Sequence, residues 1–213
     1  MPRRIPRFDN ALLDNAITAV SIVRAGEFSR LSGSPAIRKE WSMSRLEALY
    51  ELAYLRVFAA WETYLEAVFY RSLCGYASAA GQEKLIRGKF YPNLATAEAA
   101  VLGGYSYVLW HSPQKVIDRC RLHIRGGPCV QELIITSNFT RLVHLSSTRH
   151  RIVHDQADAK KKFDAATLHL TGQTYRGSRP GKFLRDYDRT KVPPQRWLEV
   201  TVRELSALMA QMV

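Results

Sequence analysis

From Ser44 to Cys74 the chain reads SRLEALYELAYLRVFAAWETYLEAVFYRSLC, a run without proline or glycine. A helix of roughly thirty residues is about 45 Å long, more than a small domain is wide, so the rest of the chain has to be arranged around it. Its apolar residues form two stripes. One is Leu46, Tyr50, Ala53, Val57, Trp61, Tyr64 and Val68; the other is Tyr54, Phe58, Leu65 and Phe69. An apolar arc this wide must bury two sides, either wholly inside its own bundle or partly against a second subunit. Ser44 and Glu47 have the spacing of a capping box at the start of this helix.

The flanking sequence is helical too. Residues 10 to 31 carry Leu13, Ile17, Val20, Val23 and Phe28, about one apolar group per turn, behind Asp9 or Asn10 as cap. GSPAIRKEWSM reads as a loop. Residues 75 to 111 allow a short helix near 96–102. Ser112 and Pro113 have the N-cap and N1 chemistry of a helix through Ile124, which RGGPC stops. VQELIIT, 130 to 136, fits a short helix or a strand. Helices follow from Asn138 to His154, over DAKKKFDAATLHLTG, and after Pro194 to the end. No period of 20 to 50 residues repeats, so a solenoid is excluded. The expected fold class is all-α: one helical bundle built around a long central helix, spanning 1–213 as a single domain. A basic, loop-rich segment at about 172–194 precedes the terminal helix.

Charge narrows the function. Lys and Arg number 31 against 19 Asp and Glu, a net charge of +12. From Arg149 to Arg196, 12 Lys or Arg face 5 Asp, so more than half of the excess lies in under a quarter of the chain. Such a concentration attracts polyanions, although cations can also serve solubility alone. MPRRIPRFDN lacks the apolar run of an export signal. The most apolar stretch, 99 to 110, is too short to span a membrane. Three scattered cysteines, Cys74, Cys120 and Cys129, read as reduced thiols, so the expectation is a cytoplasmic protein without a membrane partner.

Several chemistries can be weighed from spacing. His150 and His154 stand at i and i+4, as in zinc proteases, but HRIVH has Arg151 where H-E-x-x-H has its glutamate. Cys120, His123 and Cys129 lack an evident fourth ligand, and neither metal nor cofactor is expected. No phosphate-binding glycine loop and no G-x-S-x-G elbow occurs. Glu47, Glu51, Glu62 and Glu66 form two i,i+4 pairs that read as a solvated face. Arg149 and His154 remain. A guanidinium grips phosphate, and an imidazole moves protons near neutral pH, which together suffice for cleavage of RNA by its own 2′-hydroxyl. Five residues on a helix turn through about 140° net, so the two converge poorly within one chain, and two copies facing each other across a dimer axis would solve this.

RHRIVHD, late in a helical chain and after ELAYLRVFAAWETYLEAVFYRSLCG, resembles the HEPN superfamily (higher eukaryotes and prokaryotes nucleotide-binding domain), and most of all its stand-alone bacterial branch. The resemblance extends over about residues 44 to 212, with R-x(4-6)-H as its residue-specific part. It implies a dimerising helical bundle and a metal-independent endoribonuclease, a hydrolase of toxin–antitoxin, phage-defence or RNA-processing systems with an antitoxin or defence-system partner protein. Arg149 takes the place of the arginine, His150 that of the polar residue after it, and His154 that of the histidine. His150 departs from the commoner Asn. Gln156 stands where one branch carries a tyrosine that its antitoxin modifies, so that mode of neutralisation is not implied. Arg151, Lys160, Lys161, Lys162, Arg176, Arg179, Lys182 and Arg185 are the expected RNA-backbone contacts. A non-catalytic HEPN-like module binding RNA, nucleotide or a partner protein is the alternative. A helical DNA-binding regulator is a third reading, without an evident helix–turn–recognition helix in its favour.

Overall fold

The computed structural model describes residues 2–7, 9–78 and 80–213, with the side chains of 9–13 left aside. It is all-α. In chain order the helices are α1 (Asp9–Ser32), α2 (Pro35–Glu40), α3 (Met43–Leu73), α4 (Leu94–Leu102), α5 (Pro113–His123), α6 (Val130–Ser137), α7 (Phe139–Val153), α8 (Ala157–Thr171), α9 (Pro180–Arg185) and α10 (Trp197–Ala210). Strands β1 (Lys84–Leu85) and β2 (Ile124–Arg125) pair antiparallel, as do β3 (Tyr187–Asp188) and β4 (Gln195–Arg196). The chain divides into two compact units. The motif unit comprises Ala11–Ala60 and His144–Leu205; the second comprises Met1–Asn10, Trp61–Val143 and Ser206–Val213.

Every residue of both α3 stripes is buried. The tyrosines among them satisfy their hydroxyls as burial requires: Tyr54 donates to the Leu145 carbonyl at 2.7 Å and Tyr64 to that of Met209 at 2.6 Å. The chain thus buries both stripes of its own long helix, and the stripes no longer argue for a second subunit. The cap of α3 is Ser42, whose Oγ accepts from the Arg45 amide at 3.4 Å, so the cap lies two residues before the expected Ser44 and is a single side-chain bond in place of the Ser44–Glu47 box.

In the motif unit α1 turns an unexpected face inward. Ala16, Ala19, Val23 and Glu27 are buried, while Ile17 and Phe28 are 55% and 69% exposed. The small residues allow a close approach: a Cβ on Gly26 would lie 2.9 Å from Leu49 and 3.1 Å from Trp41. The expected Asp9 or Asn10 cap and Leu13 lie outside the described side chains. Residues 35–40, read as loop, form α2 because Ser34 caps the Ile37 amide and Pro35 opens the turn. Within the expected basic loop 172–194, α9 and strand β3, which pairs with β4 just past the loop's end, give the segment regular structure.

In the second unit Trp110 donates Nε1–H to Glu66 at 3.0 Å and packs edge-on against Phe69 and Tyr70. Arg121 pairs with Glu132 at 2.6 Å between α5 and α6. Cys120 and Cys129 are buried, and the neighbouring Cys129 thiol together with burial pushes the Cys120 thiol up. Cys129 also caps α6, its sulfur accepting the Glu132 amide at 3.4 Å. His123 packs edge-on against Phe69 at 5.8 Å. These three side chains therefore have packing roles. No described helix is long and apolar enough to cross a membrane.

Candidate functional site

α7 and α8 are joined by a three-residue turn, residues 154–156, and the histidine motif sits where α7 ends. The turn follows from the sequence: α7 frays at Val153, and Gln156 takes the N-cap position of α8. His154 lies one residue past the helix, exposed, with its amide still bonded to the His150 carbonyl at 2.9 Å. This one-turn relation brings the two imidazoles together, with ring centroids 4.6 Å apart and planes at 48°.

His150 is half-buried, and its surroundings make it a poor proton holder. Burial, then His154, then the cations Lys162 and Arg149 hold it below the ordinary imidazole range, against a weaker upward pull from Asp158. Arg149 is half-buried on the same helix. The arrangement therefore offers one imidazole that is neutral near pH 7, a second that is open to solvent, and positive charge from two helices. It can accept a proton, deliver one, and attract an anion.

The expected basic contacts divide into three groups. Lys161, Arg176 and Lys182 are exposed and carry no ion pair among the described residues. Lys160 and Lys162 are in surface pairs, with Asp155 at 3.3 Å and Asp158 at 2.7 Å. Arg151 and Arg185 are half-buried and Arg179 is exposed, yet all three are engaged by the protein's own acceptors. Arg151, whose side chain is 13% exposed, donates Nε–H to the Ser178 carbonyl and Nη1–H to that of His154, each at 3.1 Å, and pairs with Asp155 at 3.0 Å. Arg179 holds buried Glu47, with Nε donating at 2.8 Å. Arg185 holds Glu27 at 2.7 Å, and Arg196 lies 3.4 Å from the same oxygen. The guanidiniums of these three predicted RNA contacts bind the protein's own acceptors.

Glu47 is buried, Glu51 accepts the Gly181 amide at 2.8 Å, and Glu62 accepts the Tyr107 hydroxyl at 2.7 Å. Together with Glu66 they tie later segments to α3, where a solvated face was expected.

Two features escaped the sequence reading. His144 of α7 and His169 of α8 lie with ring centroids 4.5 Å apart, a pairing that no local pattern links. Ser178, in the left-handed region at φ 47°, donates Oγ–H to Asp164 at 2.9 Å while its carbonyl takes Arg151. Arg151, Ser178 and Asp164 thereby brace the turn that carries His154. Among the described residues no group of three or more metal-ligating side chains occurs. Compared with known proteins, the chain matches no family model, no curated protein and no solved structure.

Proposed function

We propose that this chain is a metal-independent endoribonuclease of the HEPN type. The observation that carries the proposal is the His150–His154 pair, 4.6 Å between ring centroids at an accessible helix end, with Arg149 and Lys162 acting on it. His150, held neutral, takes the 2′-hydroxyl proton of RNA. O2′ then attacks the adjacent phosphorus, the bond from phosphorus to O5′ breaks, and His154 delivers a proton to O5′. The products are a 2′,3′-cyclic phosphate and a 5′-hydroxyl. Arg149 clamps the phosphate as its charge grows. This gives His150 a larger share than the bare motif assigns to it, because one imidazole cannot serve both steps within a single displacement.

Exposed Lys161, Arg176 and Lys182 are the residues of the basic segment available for backbone contact. The proposal includes a cytoplasmic homodimer that joins two motifs in one cleft. Exposed Ile17, Phe28 and Leu31 on α1, with Leu52 on α3, supply an apolar surface for it. A toxin–antitoxin or defence setting, with a neutralising partner protein, fits such an activity. The test is purified protein on total RNA with EDTA throughout. Wild type cleaves; His154→Ala and Arg149→Ala each lose about 10² or more in rate with helicity unchanged. An inactive wild type would leave the binding-module reading in its place.

A further inference from the structure

The second unit carries a cationic surface that the motif does not use. β1 and β2 pair so that Lys84 lies directly opposite Arg125, and like charges in that position repel. Lys89 and Phe90 join them around a cleft of about 150 Å³. Lys84, Lys89 and Arg125 are exposed, and none is in an ion pair with a described carboxylate. The acidic residue lining the cleft is Glu83, which accepts the Val130 amide at 3.4 Å and whose carboxyl burial pushes up; one carboxyl faces three cations.

Aromatic rings are set into this surface. Phe90 is 41% exposed, and its ring edge is seated on Gly75, where a Cβ would fall 2.8 Å from Cδ2. The Tyr91 amide bonds the Leu73 carbonyl at 3.0 Å, anchoring the segment to the end of α3. The Arg87 guanidinium lies 4.1 Å over the Tyr91 ring. Cations that repel one another until an anion enters, beside a fixed and half-open ring, are the two ingredients of single-strand recognition: charge for the backbone and a face for a base.

We propose that Lys84, Lys89, Arg125 and Phe90 form a binding site for single-stranded RNA, with a phosphate drawn between the three cations and a base stacked on Phe90. The site rests on RNA being the ligand of this chain, but not on cleavage.

The experiment uses the full chain carrying His154→Ala, so that the RNA stays intact, and follows the anisotropy of a fluorescein-labelled single-stranded RNA from low to high salt. Replacing Lys84, Lys89 and Arg125 together with Gln should weaken binding and flatten the slope of log affinity against log salt by about two, at about 0.7 for each charge. Phe90→Leu should weaken binding about tenfold with little change in slope, while Phe90→Trp retains affinity. Heparin should feel the triple substitution but not Phe90→Leu. Unchanged RNA affinity and slope in the triple variant would overturn the site. RNA that ignores Phe90→Leu as heparin does would overturn its assignment to single strands. Cleavage by the unsubstituted chain is scored separately, so an inactive enzyme that still binds RNA through this surface refutes only the nuclease.

Discussion

Replacing Glu27 should unlock the basic segment from the helices beneath it. Its carboxylate is buried and one oxygen is shared by three donors: Tyr50 hydroxyl at 3.2 Å, Arg185 Nε at 2.7 Å and Arg196 Nη2 at 3.4 Å. Glu27→Gln keeps the shape but removes the charge that compensates two arginines, whose side chains are only 28% and 20% exposed. Breaking a fully buried pair costs about 3–5 kcal/mol; partial exposure lets water take up some of the loss, so about 3 kcal/mol is expected. In a chain of this size each kcal/mol lowers Tm by about 2–4 °C, giving a fall of about 6–12 °C in thermal unfolding followed by circular dichroism. Glu40→Gln breaks the exposed Arg45–Glu40 pair and should change Tm by no more than about 2 °C. Replacing Glu27, Arg185 and Arg196 together with apolar residues of similar length should recover much of the loss, because no charge is then left stranded. A Glu27→Gln protein melting within 2 °C or so of wild type would refute the reasoning, since the latch would then contribute no more than a surface pair.

Gly181→Ala should be destabilising by about 1–3 kcal/mol, because a Cβ there overlaps the Glu47 carbonyl of α3, and thermal unfolding measures it. Arg151→Ala should slow cleavage by about tenfold to a hundredfold, since it frees the turn bearing His154. The salt slope of RNA binding should stay unchanged, and Arg151→Lys should recover part of the rate. Cleavage should fail on the acid side as His150 gains a proton, with a midpoint below the ordinary 6.5. Lys162→Gln should move that midpoint up and Asp158→Asn should move it down, read both from the pH–rate profile and from imidazole NMR titration.

How much of this could be read from residues alone depends on whether the signal was local. α3 is bounded by its lack of breakers, α5 opens at Ser112–Pro113 and α10 follows Pro194; each is written in a few neighbouring residues. α1 was placed correctly along the chain but given the wrong face. Size was the misleading cue: Ile17 and Phe28 are the large apolar groups, yet Ala16, Ala19, Gly26 and Glu27 let α1 approach α3, and Glu27 is buried because arginines 158 and 169 positions later meet it. The same cause explains Glu47 and Arg179, which look like solvated charges until the fold joins them across 132 positions. At the candidate site, His150 and His154 were legible as an i,i+4 pair. The depressed affinity of His150 for protons was not, because it comes first from burial in the fold, then from His154, and only then from Lys162 across the turn on α8. The bracing of His154 by Arg151 and Ser178 depends on a left-handed serine that no short motif announces.

The central claim is cleavage by the substrate's own 2′-hydroxyl, and the chemistry of the product ends tests it most directly. Purified wild type, incubated with RNA and EDTA and analysed by mass spectrometry, should leave 2′,3′-cyclic phosphates and 5′-hydroxyls. His150→Ala and His154→Ala should each reduce those ends by about 10² to 10⁴. RNA whose 2′-hydroxyls are methylated should remain whole. Products bearing 3′-hydroxyls, cleavage that stops in EDTA, or full activity in the His154→Ala protein would contradict the account.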